Sequence, residues 1–197
     1  MDSTLAIIIV VAVVVLAVLG YAITRRNKTQ ELHSKFGPEY ERAVDRYGDS
    51  SKAERDLAAR QKRVESLQIR ALAPQDRTRY SEAWNDVQTR FVDDPRRAAE
   101  DADVLVREVM QKRGYPVGDF EQQAADISVN HPAVVEHYRA AHTIAERNAR
   151  TPATTEELRK ALVHYRALFA DLLDLNPDNG RDATAVNEPQ EERSSRR

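Results

Sequence analysis

The sequence predicts an all-α protein: one N-terminal transmembrane helix followed by a helical bundle of about six helices. Three observations lead there. An uncharged apolar stretch opens the chain. After it, apolar residues recur at intervals of three and four, without the sustained alternation a strand requires. Glycine and proline are few, 6 and 8, and most fall where a helix would start or stop.

The apolar stretch is "LAIIIVVAVVVLAVLGYAI", Leu5 to Ile23, with no charged residue. As a helix it would span about 28 Å, close to the thickness of a bilayer's hydrocarbon core. A cleaved signal peptide needs a basic start and small residues at a cleavage site, whereas this chain begins "MDST" and shows no A-x-A. A retained span is therefore expected. Asp2 is the only charge before it, and Arg25, Arg26 and Lys28 follow at once. Basic flanks stay in the cytoplasm, so the remainder of the chain is expected there. Gly20 stands alone, so no small-xxx-small motif signals dimerisation of the span. "NKT" at 27–29 fits a glycosylation sequon, but it lies against the membrane and such triplets are common by chance. The expected organisation is an anchor with its basic flank at 1–28, an all-helical domain at 29–175 and a tail at 176–197.

Within the body, "KFGPEYERAVDRYGD" has Pro38 where a first helical turn accepts it and Gly48 where a helix can end. "SKAE" at 51–54 has the form of a capping box, Ser51 with Glu54, opening a charged helix to about Leu72. Its "ARQKRVE" segment, 59–65, is balanced by Glu54, Asp56 and Glu65 and reads as a solvated face with i,i+4 ion pairs. Pro74 ends that run. Tyr80, Trp84, Val87 and Phe91 then form one apolar stripe.

Asp94 precedes Pro95, and the apolar pattern restarts with Ala98, Ala102, Leu105, Val109 and Met110. An acid before proline at a helix start is an N-cap followed by a favoured first residue. The surrounding carboxylates, Asp93, Glu100 and Asp101, suit a first turn, and the stretch lacks the glycine and the spacing of a hard-cation loop. Gly114 ends this helix, and Asp119 can cap "FEQQAADIS". Asn130 or His131 would cap the next helix, with Val135, Tyr138, His142 and Ala145 on one face. Thr154 and Glu157 form a second capping box before Leu158, Leu162, Tyr165, Leu168, Phe169, Leu172 and Leu175. From Asn176 the chain has one large aliphatic residue, Val186, and mixed charge, the composition of a disordered tail.

Several chemistries are excluded or disfavoured. With no cysteine there are no disulfides, thiolate ligands or Cys nucleophile. A net charge of −2 with mixed distribution gives no case for nucleic acid. No nucleophile elbow, Walker loop or dinucleotide fingerprint is present. The histidines, His33, His131, His137, His142 and His164, include no i,i+4 pair. His142 is expected at the edge of the core; His137 and His164 are expected at the surface.

"FGPEYERAV" (36–44), "RYSEAWNDVQTRFVDDP" (79–95), "VMQKRGYPVGDFEQQAADISVNHPAVVEHYRAAH" (109–142) and "LVHYRALFADLL" (162–173) resemble a family of uncharacterised bacterial single-pass membrane or "secreted" proteins. The resemblance runs through most of residues 30–175. It implies a bacterial source and a single membrane pass, and it carries no activity.

The function expected from exclusion and architecture is a membrane-anchored interaction or scaffold module, not an enzyme. Its partners are the membrane, through Leu5 to Ile23, and an unidentified protein. Residues expected to contact that partner are Tyr115 and Phe120, large rings in the turn "RGYPVGDF" at 113–120. No catalytic, cofactor-binding or metal-binding residue is assigned. Two alternatives stand beside this: a ligand- or metal-binding bundle with enzymatic activity using His137, His142 and His164, and a cell-envelope structural protein if the topology is reversed.

Overall fold

Proline and glycine divide the chain much as their backbone chemistry requires. Pro38, Pro74 and Pro95 each open a helix, where the missing N–H costs nothing. Gly48 and Gly114 close helices in the left-handed conformation. The computed structural model describes residues 3–175, with the side chains of 3–11, 14 and 21 left out. Eight helices and no strand are present among the described residues: α1 (Ser3–Phe36), α2 (Pro38–Tyr47), α3 (Ser50–Glu65), α4 (Pro74–Arg90), α5 (Pro95–Arg113), α6 (Phe120–Asn130), α7 (Val135–Arg150) and α8 (Thr155–Leu172). The all-helical fold is as expected, with more helices than the sequence suggested. The expected tail, 176–197, lies outside the described residues.

Helix α1 carries the apolar stretch and its basic flank without a break. The boundary expected at 28/29 therefore falls inside a continuous helix whose far end is buried at Leu32 and Phe36. Among the described residues no helix is long and apolar enough to cross a membrane. The expected span, Leu5 to Ile23, falls partly on residues whose side chains lie outside that description.

The body expected as one domain forms two compact units. Unit 1 comprises Met1–Ser66 with Ala125–Ala133; unit 2 comprises Leu67–Ala124 with Val134–Arg197. Unit 1 packs α1, α2 and α3 with the second part of α6. Its apolar interior includes Phe36, Ala43, Ala53, Leu57 and Ile127.

Charges are buried in unit 1 as well, which corrects the solvated reading of 59–65 at Arg60, while Lys62, Arg63 and Glu65 are exposed as expected. Arg60 shares a stripe with Ala53, Leu57 and Val64, and all four are buried. Its guanidinium meets Glu39 at 2.7 Å and Asp56, one turn back, at 2.7 Å. It also donates to Ser128 Oγ at 3.3 Å. Arg63 reaches buried Asp126 at 2.9 Å. A buried charge is tolerated only when paired, and these are.

Helix α3 differs from expectation at both ends. Asp49, two residues before Ser51, takes the capping role: its carboxylate accepts from Lys52 N at 2.7 Å. Ser51 and Glu54 are thereby inside the helix and free for contacts with other elements. The C-terminus comes at Glu65, where Ser66 Oγ donates to the Arg63 carbonyl at 2.6 Å.

The segment from Leu67 to Ala73, expected as helix, belongs to unit 2 and runs alongside the end of α5. Arg70 N donates to the Arg113 carbonyl at 2.8 Å, and Leu72 is buried. Gly114 lies beneath this strap with φ of 102°, and a Cβ there would come within 2.5 Å of the Gln68 carbonyl oxygen. Glycine is required at 114 on both counts.

Unit 2 packs α4, α5, α7 and α8 around Trp84, Val106, Val109, Met110, Leu168 and Phe169. Trp84 stacks on Phe169 with ring centroids 4.7 Å apart. Asp94 caps α5, accepting from Arg97 N at 3.0 Å, as its place before Pro95 predicts. The Thr154–Glu157 capping box opens α8. By contrast, α6 continues through Asn130, and α7 starts at Val135 with no side-chain cap, so neither Asn130 nor His131 caps it. The backbone explains this: His131 N donates to the Ile127 carbonyl at 2.8 Å, extending the preceding helix.

Candidate functional site

A cleft of about 420 Å³ opens in unit 2 where α5, α7 and α8 meet. Small side chains make the room, because Ala99 on α5, Ala145 on α7 and Ala161 on α8 all line it. Charged and polar groups then enter on helical spacing. Arg96, Glu100, Asp103 and Arg107 follow one another along α5 at intervals of four, three and four.

The floor is a hydrogen-bonded set. Tyr165 OH donates to Asp103 Oδ1 at 2.9 Å, and Arg107 meets Asp103 Oδ2 at 2.6 Å. Both carboxylate oxygens are thus engaged. The Tyr165 ring is buried, which pushes its phenol well above the ordinary value, and the Asp103 charge beside it pushes further the same way. Tyr138 is raised for the same two reasons in the same order, and its hydroxyl donates to Gln123 Oε1 at 3.0 Å. A phenol held protonated donates a hydrogen bond and is poor as a base or nucleophile. Tyr165 is therefore a hydrogen-bond donor in the cleft floor, engaged with Asp103.

The histidines fall in two places. His137 on α7 and His164 on α8 meet with Nδ1 atoms 3.0 Å apart. A neutral pair at that distance needs one ring to donate and the other to accept. His164 is held below the usual histidine value, first by partial burial and then by the neighbouring His137. His142 is half-buried and lies flat against Phe120, with centroids 3.6 Å apart. The three histidines of the metal-bundle alternative thus do not converge. Among the described residues no three His, Asp or Glu side chains gather as a metal site would need.

Two carboxylates in the first turns of α5, Glu100 and Asp101, meet arginines. Asp101 pairs with Arg90 and with Arg97, the latter at 3.2 Å. This matches the capping interpretation of that stretch.

The two rings expected to meet a partner are packed instead into unit 2. Tyr115 is 2 % exposed, so its ring offers no surface. Phe120 is half-buried between Tyr138, at 5.0 Å, and His142. What sequence reasoning missed is the cleft floor. In the sequence Tyr165 is legible only as part of an apolar stripe, and Asp103 only as the last acid of "RRAAEDAD", 96–103. A polar-tipped aromatic on a buried stripe is the signal, because its hydroxyl must find a partner.

Comparison of the chain with family models, with curated proteins and with solved structures finds no match.

Proposed function

We propose that the chain is a single-pass membrane-anchored helical interaction module, with α1 as its anchor, its body in the cytoplasm and the α5–α7–α8 cleft as the surface that receives a protein partner. One observation carries the anchor. Val13, Val15, Leu16, Val18, Leu19 and Ile23 are each 51–68 % exposed, although they point to all sides of α1. Apolar surface on every side of a helix has to be covered, and a bilayer covers it without a specific partner. The charges after Ile23 support the cytoplasmic orientation. The resemblance to bacterial single-pass proteins supports the same architecture in a bacterial plasma membrane.

A compartment-sensitive reporter fused after Leu175, with alkaline extraction of the membranes, tests this. A cytoplasmic signal from protein that resists extraction is expected. An extracytoplasmic signal would overturn the orientation and favour the cell-envelope alternative. Release by alkali would overturn the anchor.

A ligand-binding bundle is the second reading, favoured by the cleft volume, which is that of a small-molecule site. A photoreactive residue at Ala149, on the exposed rim, separates the two. It crosslinks a protein under the first reading and adds a mass of small-molecule size under the second.

A further inference from the structure

Many arginines of this protein are paired. Arg60, Arg63, Arg77, Arg90, Arg97, Arg107 and Arg113 each meet a carboxylate. Arg25, Lys28 and Arg55 are among the described cations that meet none, and these three line one open cavity of about 610 Å³ in unit 1. Thr24, Arg25 and Lys28 come from α1, immediately after the apolar stretch, while Ser51, Glu54 and Arg55 come from α3.

The pocket has internal order. Arg25 Nη2 donates to Ser51 Oγ at 2.8 Å, and Arg55 Nε donates to the Ser51 carbonyl at 3.0 Å. Glu54 is the acid of the lining, and hydroxyls hold it: Thr29 Oγ1 donates to it at 2.8 Å and Tyr40 OH at 3.1 Å. Its charge leaves the three cations in excess by two, with the Lys28 ammonium and most guanidinium donors of Arg25 and Arg55 unspent. Convergent cationic donors beside a hydroxyl suit a phosphate group. Leu16, Leu19 and Ile23 are exposed at helical spacing just before the cations. Apolar side chains leading to cationic donors match an acyl chain leading to a charged headgroup.

The geometry points to a headgroup site: the α1–α3 pocket binds the phosphate of an anionic phospholipid through Arg25, Lys28 and Arg55. This rests on the anchored reading of α1. Free phosphate would satisfy the same donors, and the apolar approach along α1 decides for the lipid.

The test is native mass spectrometry of the full chain in mild detergent, titrated separately with phosphatidylglycerol, phosphatidylcholine and inorganic phosphate. Phosphatidylglycerol should bind in preference to phosphatidylcholine. Arg55→Gln should lose about fivefold in that affinity, the effect of one cation near an anionic surface. Arg55 is exposed on α3 and lies outside the basic flank, so this variant leaves fold and orientation intact. Arg159→Gln, an exposed cation on α8, is the control and should change nothing. Equal binding of the two lipids, or an Arg55→Gln variant indistinguishable from the control, overturns the site. Inorganic phosphate binding as tightly as phosphatidylglycerol overturns the lipid as its occupant. Alkaline extraction of the same preparations keeps the two claims apart. Protein that resists alkali yet shows no lipid preference loses the pocket and keeps the anchor; protein released by alkali loses the anchor, and the lipid assignment with it.

Discussion

In unit 1 the buried stripe of α3 puts Arg60 against Glu39, with Ser128 beside them and Arg63 reaching Asp126. In unit 2 the corresponding inner stripe of α4 puts Trp84 flat against Phe169. Both interiors exclude water, but they ask different things of their residues. An aromatic contact tolerates any apolar neighbour of the right volume, so it contributes magnitude more than selectivity. A buried charge tolerates only its counter-charge at the right place, so it discriminates among packings and contributes little net energy. Unit 1 is assembled from two separated segments and depends on the second finding its place. That is where Arg63 meets Asp126 and Arg60 meets Ser128, each bond joining one segment to the other.

The contrast can be broken from either side. Phe169→Ala removes a buried ring together with its stack on Trp84 and should destabilise the protein by about 3–5 kcal/mol, with no second-site rescue. Chemical unfolding in mild detergent, followed by Trp84 fluorescence, reads this directly. Arg60→Met should cost about 3 kcal/mol, because Glu39 is left charged and buried. The decisive measurement is the double variant Glu39→Met with Arg60→Met, which should recover most of that loss. If the double variant is as unstable as the single one, the pair supplies energy outright and the contrast drawn here fails.

The smallest expected effect is on pH. His164 binds a proton less readily in the fold than in the unfolded chain. Below the ordinary histidine value of about 6.5 the unfolded state therefore takes up more protons, and stability falls as pH drops from there through the lower folded value. Melting temperatures measured between pH 7.5 and 5 should decline, and His164→Gln should flatten the slope. A slope unchanged in His164→Gln would remove the His137–His164 contact from the account.

Much of this was legible in the sequence where one residue type has one local role. Asp94 before Pro95, Thr154 with Glu157, and Gly48 and Gly114 after apolar runs all end or begin helices as their chemistry dictates. Legibility stopped where two residues of similar capacity compete. Asp49 and Ser51 can both cap α3, and nothing local says that Ser51 is needed by Arg25 instead. It stopped again at long-range pairing. Arg60 sits on the apolar stripe of α3, yet its neighbours in sequence made it look solvated until Glu39 and Ser128 were brought to it. The cleft floor was hidden for the same reason, since Tyr165 and Asp103 lie on different helices.

The division of α6 between the units has a consequence for synthesis. Arg63 leaves the ribosome 63 residues ahead of Asp126, and Arg60 leaves 68 residues ahead of Ser128. At about 5–20 residues per second that is a delay of roughly 3–14 s. During this interval α2 and α3 can pair through Glu39 and Arg60, but the positive edge at Arg63 has no counter-charge. Much of unit 2's chain, from Leu67 to Ala124, is made inside that window. The protein therefore cannot be completed in sequence order: its first unit is begun, left open, and closed only when a segment from the middle of the next unit's chain returns to it.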